Sequence, residues 1–547
     1  MEQNPTSPAS ENAESASSPQ PRSRVDRRSF LLGGLSAAGV AALGVGGYAA
    51  VRSRSEDPAA YAEEFAEGRA VLFRNATVVT GDDDLGTLYE TDVLVDDGVI
   101  QDVGHELSRP DDAAVIEAGG AVLMAGMIDT HRHMWQSVLR GVGGDWTISN
   151  YFQWIYEEWG ELWRPEDVYA GNYLSMVEAI DSGVTTSLDW SHGLRSPDHA
   201  DAAVDALVAS RGRARLAYGN IFDLPQNWVP GGDVQRLLDE RFPAAFDSVD
   251  DLVTMQLAWD GGGEDPEFPE RPAWEFAQEH GLPVTLHAGV WGYPLDIAIQ
   301  NISENGFLHP TNTYVHAASL QTSTYELIAE SGGDVSISAE SELNAGQGYP
   351  PTGQVREHGI PISLSMDTSL WWSGDMFAAM RATLNADRGL DHMNAHEQDR
   401  TVLNNELRTA DVLRYATQGG ADALEMGSDL GSITPGKVAD LVLLRADTAS
   451  MLPVNDPTHH IVFQAGRAEV DSVMIGGRMM KHAGRLIPAA LGLEEDGDDD
   501  ADAVLEHARS LAEDSRDHLR EQIGEEAWEG AVNPPEYETE EADHSME

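Results

Sequence analysis

The sequence of 547 residues contains no cysteine. This absence excludes disulfide bonds and thiolate metal sites, so only histidine and carboxylate side chains are left to hold a transition metal. Basic residues are also scarce, since 34 lysine and arginine residues stand against 93 acidic ones and the formal net charge is -59. Such a charge disfavours nucleic acids and anionic membrane surfaces as partners. Because acidic residues are dense throughout the chain, we expect a halophilic or salt-tolerant source.

The first 50 residues carry an export pattern. Residues 1–25 are rich in Ser, Pro, Ala and Glu, a composition that predicts disorder. Arg27 and Arg28 then precede Phe30 and an uncharged Gly/Ala/Leu run that ends at Ala50. This pattern resembles a twin-arginine signal and predicts an exported protein, extracellular or periplasmic, or anchored outside the membrane by an uncleaved signal. A plain membrane anchor is the alternative, because the run is just long enough to span a bilayer.

Two β-rich segments, one near each end of the chain, flank a middle segment with a different pattern of predicted strands and helices. Residues 71–79 and 92–100 have strand and hairpin character, and residues 439–444 and 473–480 repeat it far downstream. Between them, short apolar runs alternate with amphipathic helical stretches, which predicts parallel β/α units. We therefore predict an α/β protein with a (β/α)8 TIM-type barrel inserted in a small β-sandwich formed by both ends of the chain. The predicted boundaries are 1–50 for leader and signal, 51–68 for a linker, 69–124 and 438–490 for the sandwich, 125–437 for the barrel, and 491–547 for an acidic tail with a helix.

His131 and His133 follow a short apolar run that includes Met127 and Ile128. On a strand, residues i and i+2 point the same way, so both imidazoles would aim at one point. Neutral imidazole is a ligand of zinc and iron. In a chain with 18 histidines an accidental pair is the alternative. The position at a strand end favours a metal site, because active sites of β/α barrels lie where the strands end.

Later strands end in further polar side chains. His287 follows Leu286, His316 follows Val315, and Asp367 follows residues 365 and 366. Any one of these histidines could be structural, but the groups come from several strand ends in order. Three histidines and one aspartate suit Zn²⁺ or Fe²⁺ and leave room for a water molecule, whose pKa the metal lowers.

These motifs resemble the amidohydrolase superfamily, in the mononuclear branch of cytosine, guanine and S-adenosylhomocysteine deaminases and triazine hydrolases. The resemblance covers about residues 70–485, and the matching segments are 127–133, 183–186, 286–288, 314–316, 365–368, 375–377 and 431–441. It implies hydrolysis of a carbon–nitrogen bond of a small, heterocyclic substrate by metal-activated water, and a homodimer. It also implies one divalent metal ion, zinc or iron, with the ligands His131, His133, His287 and Asp367. His316 would then polarise the water or the substrate, and Asp367 would also take a proton from the water.

Lysine content bears on the number of metal ions. Binuclear members of this superfamily bridge two metals with a carboxylated lysine on a barrel strand. The only lysines here are Lys437 and Lys481, and both follow the predicted barrel strands. The composition therefore excludes a lysine-bridged pair and predicts a single metal ion.

The sequence departs from the family three residues after His287. Deaminases and triazine hydrolases of this type carry a glutamate there, which moves a proton from the water to the leaving group, but this chain has Val290. Glu342 stands where the family often has an asparagine after the seventh strand. We predict that Glu342 is a relocated acid/base, with a pKa raised by burial. The alternative is that Glu342 only forms hydrogen bonds with substrate or a loop.

Aromatic residues are dense after the first metal strand. Most are predicted to pack in the core or over the barrel mouth. Those nearest the predicted ligands would line a flat, apolar or heteroaromatic pocket, and the predicted substrate-binding residues are Trp135, Gln136, Trp291 and Trp371. His192 follows another strand, where contact with the substrate or a ligand and a structural role are both open.

Two other functions compete with deamination. Deamination, ring opening and dechlorination share metal-activated water, so chlorohydrolase-type dehalogenation is one alternative. The other is an exported binding protein that keeps the barrel but has lost turnover. The ligand set argues against such a binder, and Val290 argues for it.

Overall fold

The computed structural model describes residues 58–219, 228–260, 263, 265–290, 293–493 and 502–534. The predicted signal and Trp291 lie outside these residues. Within them, no helix combines the length and the apolar character that crossing a bilayer requires.

The described residues form strands that belong to two separate sheets. In chain order the strands are β1 Val71–Val79, β2 Thr87–Asp96, β3 Val99–Gly104, β4 Ala114–Glu117, β5 Val122–Ala125, β6 Met127–Arg132, β7 Val184–Ser191, β8 Arg213–Tyr218, β9 Val253–Trp259, β10 Val284–Ala288, β11 Asn312–His316, β12 Asp334–Ile337, β13 Ile362–Leu364, β14 Leu441–Leu444, β15 Val470–Ile475, β16 Arg478–His482 and β17 Arg485–Leu486.

Both ends of the chain contribute to the first sheet. In the described part of the chain it has nine strands, in the order β17-β16-β15-β14-β5-β1-β2-β3, with β4 paired to β1. Strand β5 runs parallel to β1 and antiparallel to β14, so it joins the two end segments into one continuous sheet. Gly126 alone separates β5 from β6, and any side chain there would collide with Thr185. The chain therefore passes from this sheet into the barrel through a single residue.

The second sheet is a nearly closed parallel barrel. Strands β6 to β13 lie side by side in chain order. The first and last strands meet where the Asp367 N–H donates to His131 O at 2.9 Å and the His133 N–H donates to Asp367 O at 2.7 Å. The predicted fold class is thus confirmed, and barrel closure itself brings the segment 131–133 beside Asp367.

Helices connect and cover the barrel strands. From the first barrel strand to the end of the barrel they are Ile148–Tyr151, Pro165–Asp181, Pro197–Ser210, Asp233–Glu240, Arg271–His280, Tyr293–Glu304, Thr322–Ser331, Ala339–Ala345, Thr352–Glu357, Met376–Glu397, Thr409–Tyr415 and Gln418–Ala423. The remaining α-helices are Pro58–Glu64, Pro457–Phe463, Ala503–Ile523 and Glu525–Val532. The barrel strands between them are buried along nearly their whole length, as expected for a parallel sheet with both faces covered.

Residues 146–163, which we call the cap segment, follow the first metal strand. Their helix Ile148–Tyr151 continues into a π-helix, Phe152–Trp159. The C-terminal helices pack on this segment: the ring of Trp528 stacks on Trp159 with centroids 6.3 Å apart. Trp146 Nε1 also donates to Ala531 O at 2.7 Å. The acidic tail therefore holds the outer side of the cap segment.

Asp334 begins β12, at the end of the barrel opposite to the predicted site, and burial raises its pKa to about 8. Thr313 donates to one carboxylate oxygen at 3.0 Å, and the other has no hydrogen-bond partner among the described residues. The unfolded chain releases this proton near pH 4, whereas the folded chain keeps it to about pH 8. The free energy of unfolding therefore falls as the pH rises between these values.

Replacing Asp334 by asparagine removes this ionisation. We compare the free energy of unfolding of Asp334→Asn with that of the unchanged protein at each pH. We expect this difference to favour the variant by about 1–3 kcal/mol more at pH 8 than at pH 5. Thermal unfolding at the two pH values measures the difference, with the exposed Asp111→Asn as the matched control. The same difference at both pH values would contradict the assigned ionisation.

Candidate metal centre

Four strand ends bring the predicted ligands and His316 to one point at the barrel mouth. His131 lies on β6 and His133 one residue beyond it, while His287 lies on β10. The Nε2 atom of His131 is 3.2 Å from Asp367 Oδ1 and 3.4 Å from His287 Nε2. The Nε2 atom of His133 is 3.3 Å from the same Asp367 oxygen. His316, at the end of β11, joins the group with a ring centroid 5.4 Å from that of His131.

These residues fit a divalent metal ion. The ligand atoms of His131, His133 and Asp367 all lie within 4.8 Å of one another, as do those of His131, His287 and His316. Burial lowers the pKa of His131 well below its ordinary value, so this imidazole is neutral, the form that binds metal. Converging neutral nitrogens with one carboxylate oxygen form a donor set that suits zinc.

Hydrogen bonds behind two of the imidazoles fix which nitrogen faces the cluster. His133 Nδ1 lies 3.2 Å from Trp190 O, and His287 Nδ1 lies 2.8 Å from Asp260 Oδ1. A carbonyl and an ionised carboxylate only accept, so each Nδ1 carries the proton and each Nε2 is free to bind metal. Sequence reasoning missed Asp260, although it directly follows β9, at a strand end like those of the predicted ligands.

Asp367 is the ionised group of the cluster. Burial alone would raise the pKa of Asp367, but the adjacent imidazoles of His131 and His133 outweigh it and hold that pKa well below its ordinary value. Ser341 Oγ donates to the second carboxylate oxygen. The cluster therefore contains a fixed negative charge that balances part of the charge of a bound cation.

Two site residues adopt a backbone conformation that is rare outside glycine. The φ angle is 69° at His316 and 61° at Asp367. A non-glycine residue held in this left-handed region costs about 1–3 kcal/mol, and such residues cluster at functional sites. The surrounding fold therefore offsets the cost of a strained backbone at His316 and Asp367, two of the predicted catalytic residues.

Glu342 lies behind His316, on the helix Ala339–Ala345. Its Oε1 is 3.4 Å from His316 Nδ1 and accepts a hydrogen bond from the Ser338 N–H at 2.9 Å. The side chain is fully buried, and burial raises the pKa of Glu342 above its ordinary value. The carboxyl group thus reaches the cluster through His316.

A cavity of about 130 Å³ opens above the cluster. Its described lining combines site groups with aromatic residues, mostly from the cap segment: His133, Ile148, Tyr151, Phe152, Tyr156, Asp260, His287, Val290, Gln347, Asp367 and Trp371. Val290 faces this space, so the position where the family carries its proton-shuttling glutamate presents an apolar side chain to the cavity.

The predicted substrate-binding residues have different placements. Trp371 lines the cavity, while Trp135 is fully buried and donates from Nε1 to His192 Nδ1 at 3.4 Å, outside the cavity lining. Gln136 donates to Tyr151 OH at 2.7 Å and accepts from Thr368 Oγ1 at 2.6 Å. Gln136 therefore ties the cap segment to the loop of Asp367.

Comparison with known proteins agrees with this geometry. The amidohydrolase family matches residues 271–480. The chain is similar to the 5'-deoxyadenosine deaminase of Methanothermobacter thermautotrophicus, with 27% identity over 433 residues that cover 75% of this chain and 94% of the relative. The chain is similar to the amidohydrolase family over residues 271–480, and the match, the barrel and the histidine–aspartate cluster together define the class of protein: a hydrolase of carbon–nitrogen bonds other than peptide bonds.

Solved structures share the fold. An adenosine deaminase from Xanthomonas campestris with bound zinc has a TM-score of 0.65 and 23% identity, and the match covers 82% of this chain and 98% of that one. The atrazine chlorohydrolase from Arthrobacter aurescens, complexed with zinc, has a TM-score of 0.66 and 20% identity, with 81% and 100% covered. Within its class, the chain therefore has a deaminase among its relatives and a triazine hydrolase among its structural neighbours.

Proposed function

We propose that the protein hydrolyses a carbon–nitrogen bond of a small heterocyclic substrate with one bound zinc ion, in the manner of a deaminase. The observation that carries this proposal is the convergence of His131, His133, His287 and Asp367 beneath an aromatic cavity. A solved structure that shares this fold contains bound zinc, which supports the choice of metal. Fe²⁺ fits the same set of donor atoms. Aromatic walls suit a flat ring.

The residues around the cluster divide the chemical work. A zinc ion held by His131, His133, His287 and Asp367 would supply a water molecule of lowered pKa. Ionised Asp367 would be the group that accepts a proton from that water. Since Nδ1 of His316 faces Glu342, its Nε2 is the nitrogen left to polarise the substrate. The cap segment keeps bulk water from the reacting atoms, with Tyr151 and Phe152 over the cavity.

Glu342 is proposed to supply the acid/base function that Val290 cannot. Its carboxyl group is buried and bonded to His316, so a proton exchanged with Glu342 passes through that imidazole. We expect Glu342→Gln to lower kcat by about 10²-fold and to keep its zinc, because general acid–base groups contribute 10²–10⁴-fold. Steady-state kinetics and zinc analysis measure both.

Glu340→Gln is the matched control for this variant. Glu340 lies on the same helix and makes no ion pair or hydrogen bond with His316 among the contacts of the described residues. We expect its kcat to stay near that of the unchanged protein. Normal turnover by zinc-loaded Glu342→Gln would remove Glu342 from the mechanism.

A screen of amino-heterocycles tests the proposed reaction. The zinc-loaded protein should release one ammonia for each molecule of an accepted aminopurine, aminopyrimidine or aminotriazine. Chloride release from a chlorotriazine, without ammonia release from any amino-heterocycle, would instead support the dehalogenation alternative. One zinc ion per chain without hydrolysis of any candidate would favour a binding protein.

A further inference from the structure

Asp260 connects the cap segment with the metal cluster. It follows β9, and its Oδ1 accepts a hydrogen bond from His287 Nδ1 at 2.8 Å. The hydroxyl group of Tyr156, on the π-helix Phe152–Trp159, donates to the other carboxylate oxygen. The three residues therefore form a continuous hydrogen-bonded chain from the cap segment to a predicted ligand.

We infer that Asp260 is a positioning residue that holds the His287 imidazole with Nε2 toward the cluster, and that Tyr156 makes this hold depend on the cap segment. This inference rests on the proposed metal-dependent function. It gives a role to two residues that the motifs of the sequence do not identify.

His287 needs such support more than the other histidines of the cluster. Its side chain is 15% exposed, against 0% for His131 and 2% for His133. The ring packs between flat neighbours, with centroids 4.0 Å from Trp190 and 5.6 Å from His316. Stacking restrains the plane of an imidazole, but it leaves the ring free to flip within that plane.

The bond to Asp260 removes this freedom. A carboxylate only accepts hydrogen bonds, so it selects the tautomer with the proton on Nδ1 and opposes a flip of the ring. His133 obtains the same result from the backbone carbonyl of Trp190, which is fixed by β7. The orientation of His287 depends instead on the side chain of Asp260, and the position of Asp260 depends on its hydrogen bond with Tyr156.

Tyr156 is the partner of Asp260, and it belongs to the cap segment, which packs on the C-terminal helices. The same π-helix places Trp159 against Trp528 of the C-terminal helices, while Tyr156 faces the cavity. With the cap segment in place, Asp260 has one oxygen bonded to Tyr156 and the other to His287. The orientation of His287, a predicted metal ligand, therefore depends on whether the cap segment is in place.

Metal binding by the full chain tests the inference without a substrate. We would measure Zn²⁺ affinity by chelator competition, and the visible absorption of the Co²⁺-loaded protein, for Asp260→Ala, Asp260→Leu and Tyr156→Phe. Loss of a group that orients a ligand typically weakens metal affinity 10–100-fold. For Asp260→Ala we expect a loss of Zn²⁺ affinity of this size and a shifted Co²⁺ spectrum. For Tyr156→Phe we expect the affinity and the spectrum to change in the same direction, but less.

The chain offers a matched control pair. Tyr218 OH donates to Asp233 Oδ2 at 3.0 Å, beside the strand β8 and apart from the cluster. Asp233→Asn and Tyr218→Phe should leave Zn²⁺ affinity and the Co²⁺ spectrum unchanged. Asp260→Leu is similar in size, has no oxygen to accept the hydrogen bond from His287, and serves if Asp260→Ala does not fold.

Wild-type Zn²⁺ affinity and an unshifted Co²⁺ spectrum in a folded Asp260→Ala or Asp260→Leu variant, neither of which has an acceptor at this position, would overturn the inference. The outcome is separable from that of the proposed function. A protein that binds zinc but hydrolyses no heterocycle would refute the proposed reaction and still show whether Asp260 orients His287.

Discussion

Replacing Asp367 by alanine is expected to lower kcat/KM by at least about 10³-fold and to weaken metal binding, because one side chain serves both purposes. Asp367 Oδ1 lies 3.2 Å from His131 Nε2 and 3.3 Å from His133 Nε2. Its removal takes away the only ionised oxygen that contacts these histidines among the described residues. Kinetics on an accepted heterocycle and zinc analysis of the purified variant measure the two effects.

Two further variants define what Asp367 contributes. Asp367→Asn keeps the shape of the side chain but not its charge, so we expect it to retain more zinc than the alanine variant while turnover stays low. Asp375→Asn is the control: Asp375 accepts from the Phe377 N–H at the start of the helix Met376–Glu397, and asparagine can cap a helix equally well. Wild-type activity and zinc content in Asp367→Ala would disprove the proposed ligand set.

Replacing Glu178 by alanine is expected to cost about 3–5 kcal/mol of stability, the largest such effect that we predict. Glu178 Oε2 accepts from Arg132 Nη2 at 2.7 Å and from Arg140 Nη2 at 2.9 Å, while Arg467 Nη1 lies 3.8 Å from Oε1. Arg132 is only 1% exposed, so the variant leaves a buried guanidinium without its main partner. Thermal unfolding measures the loss, with the exposed Glu326→Ala as control.

The pH dependence of this loss has a definite sign. Burial acts to raise the pKa of Glu178, but Arg132 and Arg140 outweigh it and lower that pKa below the ordinary value of 4.5. The ionised side chain therefore stabilises the fold above about pH 4.5, and this contribution disappears as the pH falls through the folded pKa. The difference between the unchanged protein and Glu178→Gln should shrink on acidification. A difference that stays constant as the pH falls from 7 to well below 4.5 would contradict this electrostatic role.

The sequence was sufficient to predict that the four candidate ligand side chains converge, because each follows an apolar strand. Strand periodicity pairs His131 with His133, and parallel strands end at one mouth of a barrel, so His287 and Asp367 had to meet them. The same reasoning predicted the two-ended sheet, since β14 repeats the β-rich character of the first segments. These conclusions depend on local patterns together with a single topological rule.

Other parts of the site depend on contacts that no local pattern reveals. The bond between Tyr156 and Asp260 joins the cap segment to a barrel strand end, and the spacing of the aromatic run does not reveal which distant residue Tyr156 contacts. Trp135 was assigned to a pocket wall, but the chain turns into a 3-10 helix at Met134–Leu139 and carries this side chain beneath His192. Strand spacing predicted the direction of His133 but not that of the residues in the 3-10 helix that follows it.

The pairing of β5 with β14 constrains how this protein can be made. A nascent chain leaves the ribosome with its N-terminus first, and β5 must wait for a partner from the far end of the chain. Until then one edge of β5 stays open, one residue before the strand that carries His131, and open edges recruit other chains. Pairing between such distant segments also slows folding. Misassembly during biosynthesis would therefore be one limit on the yield of soluble protein.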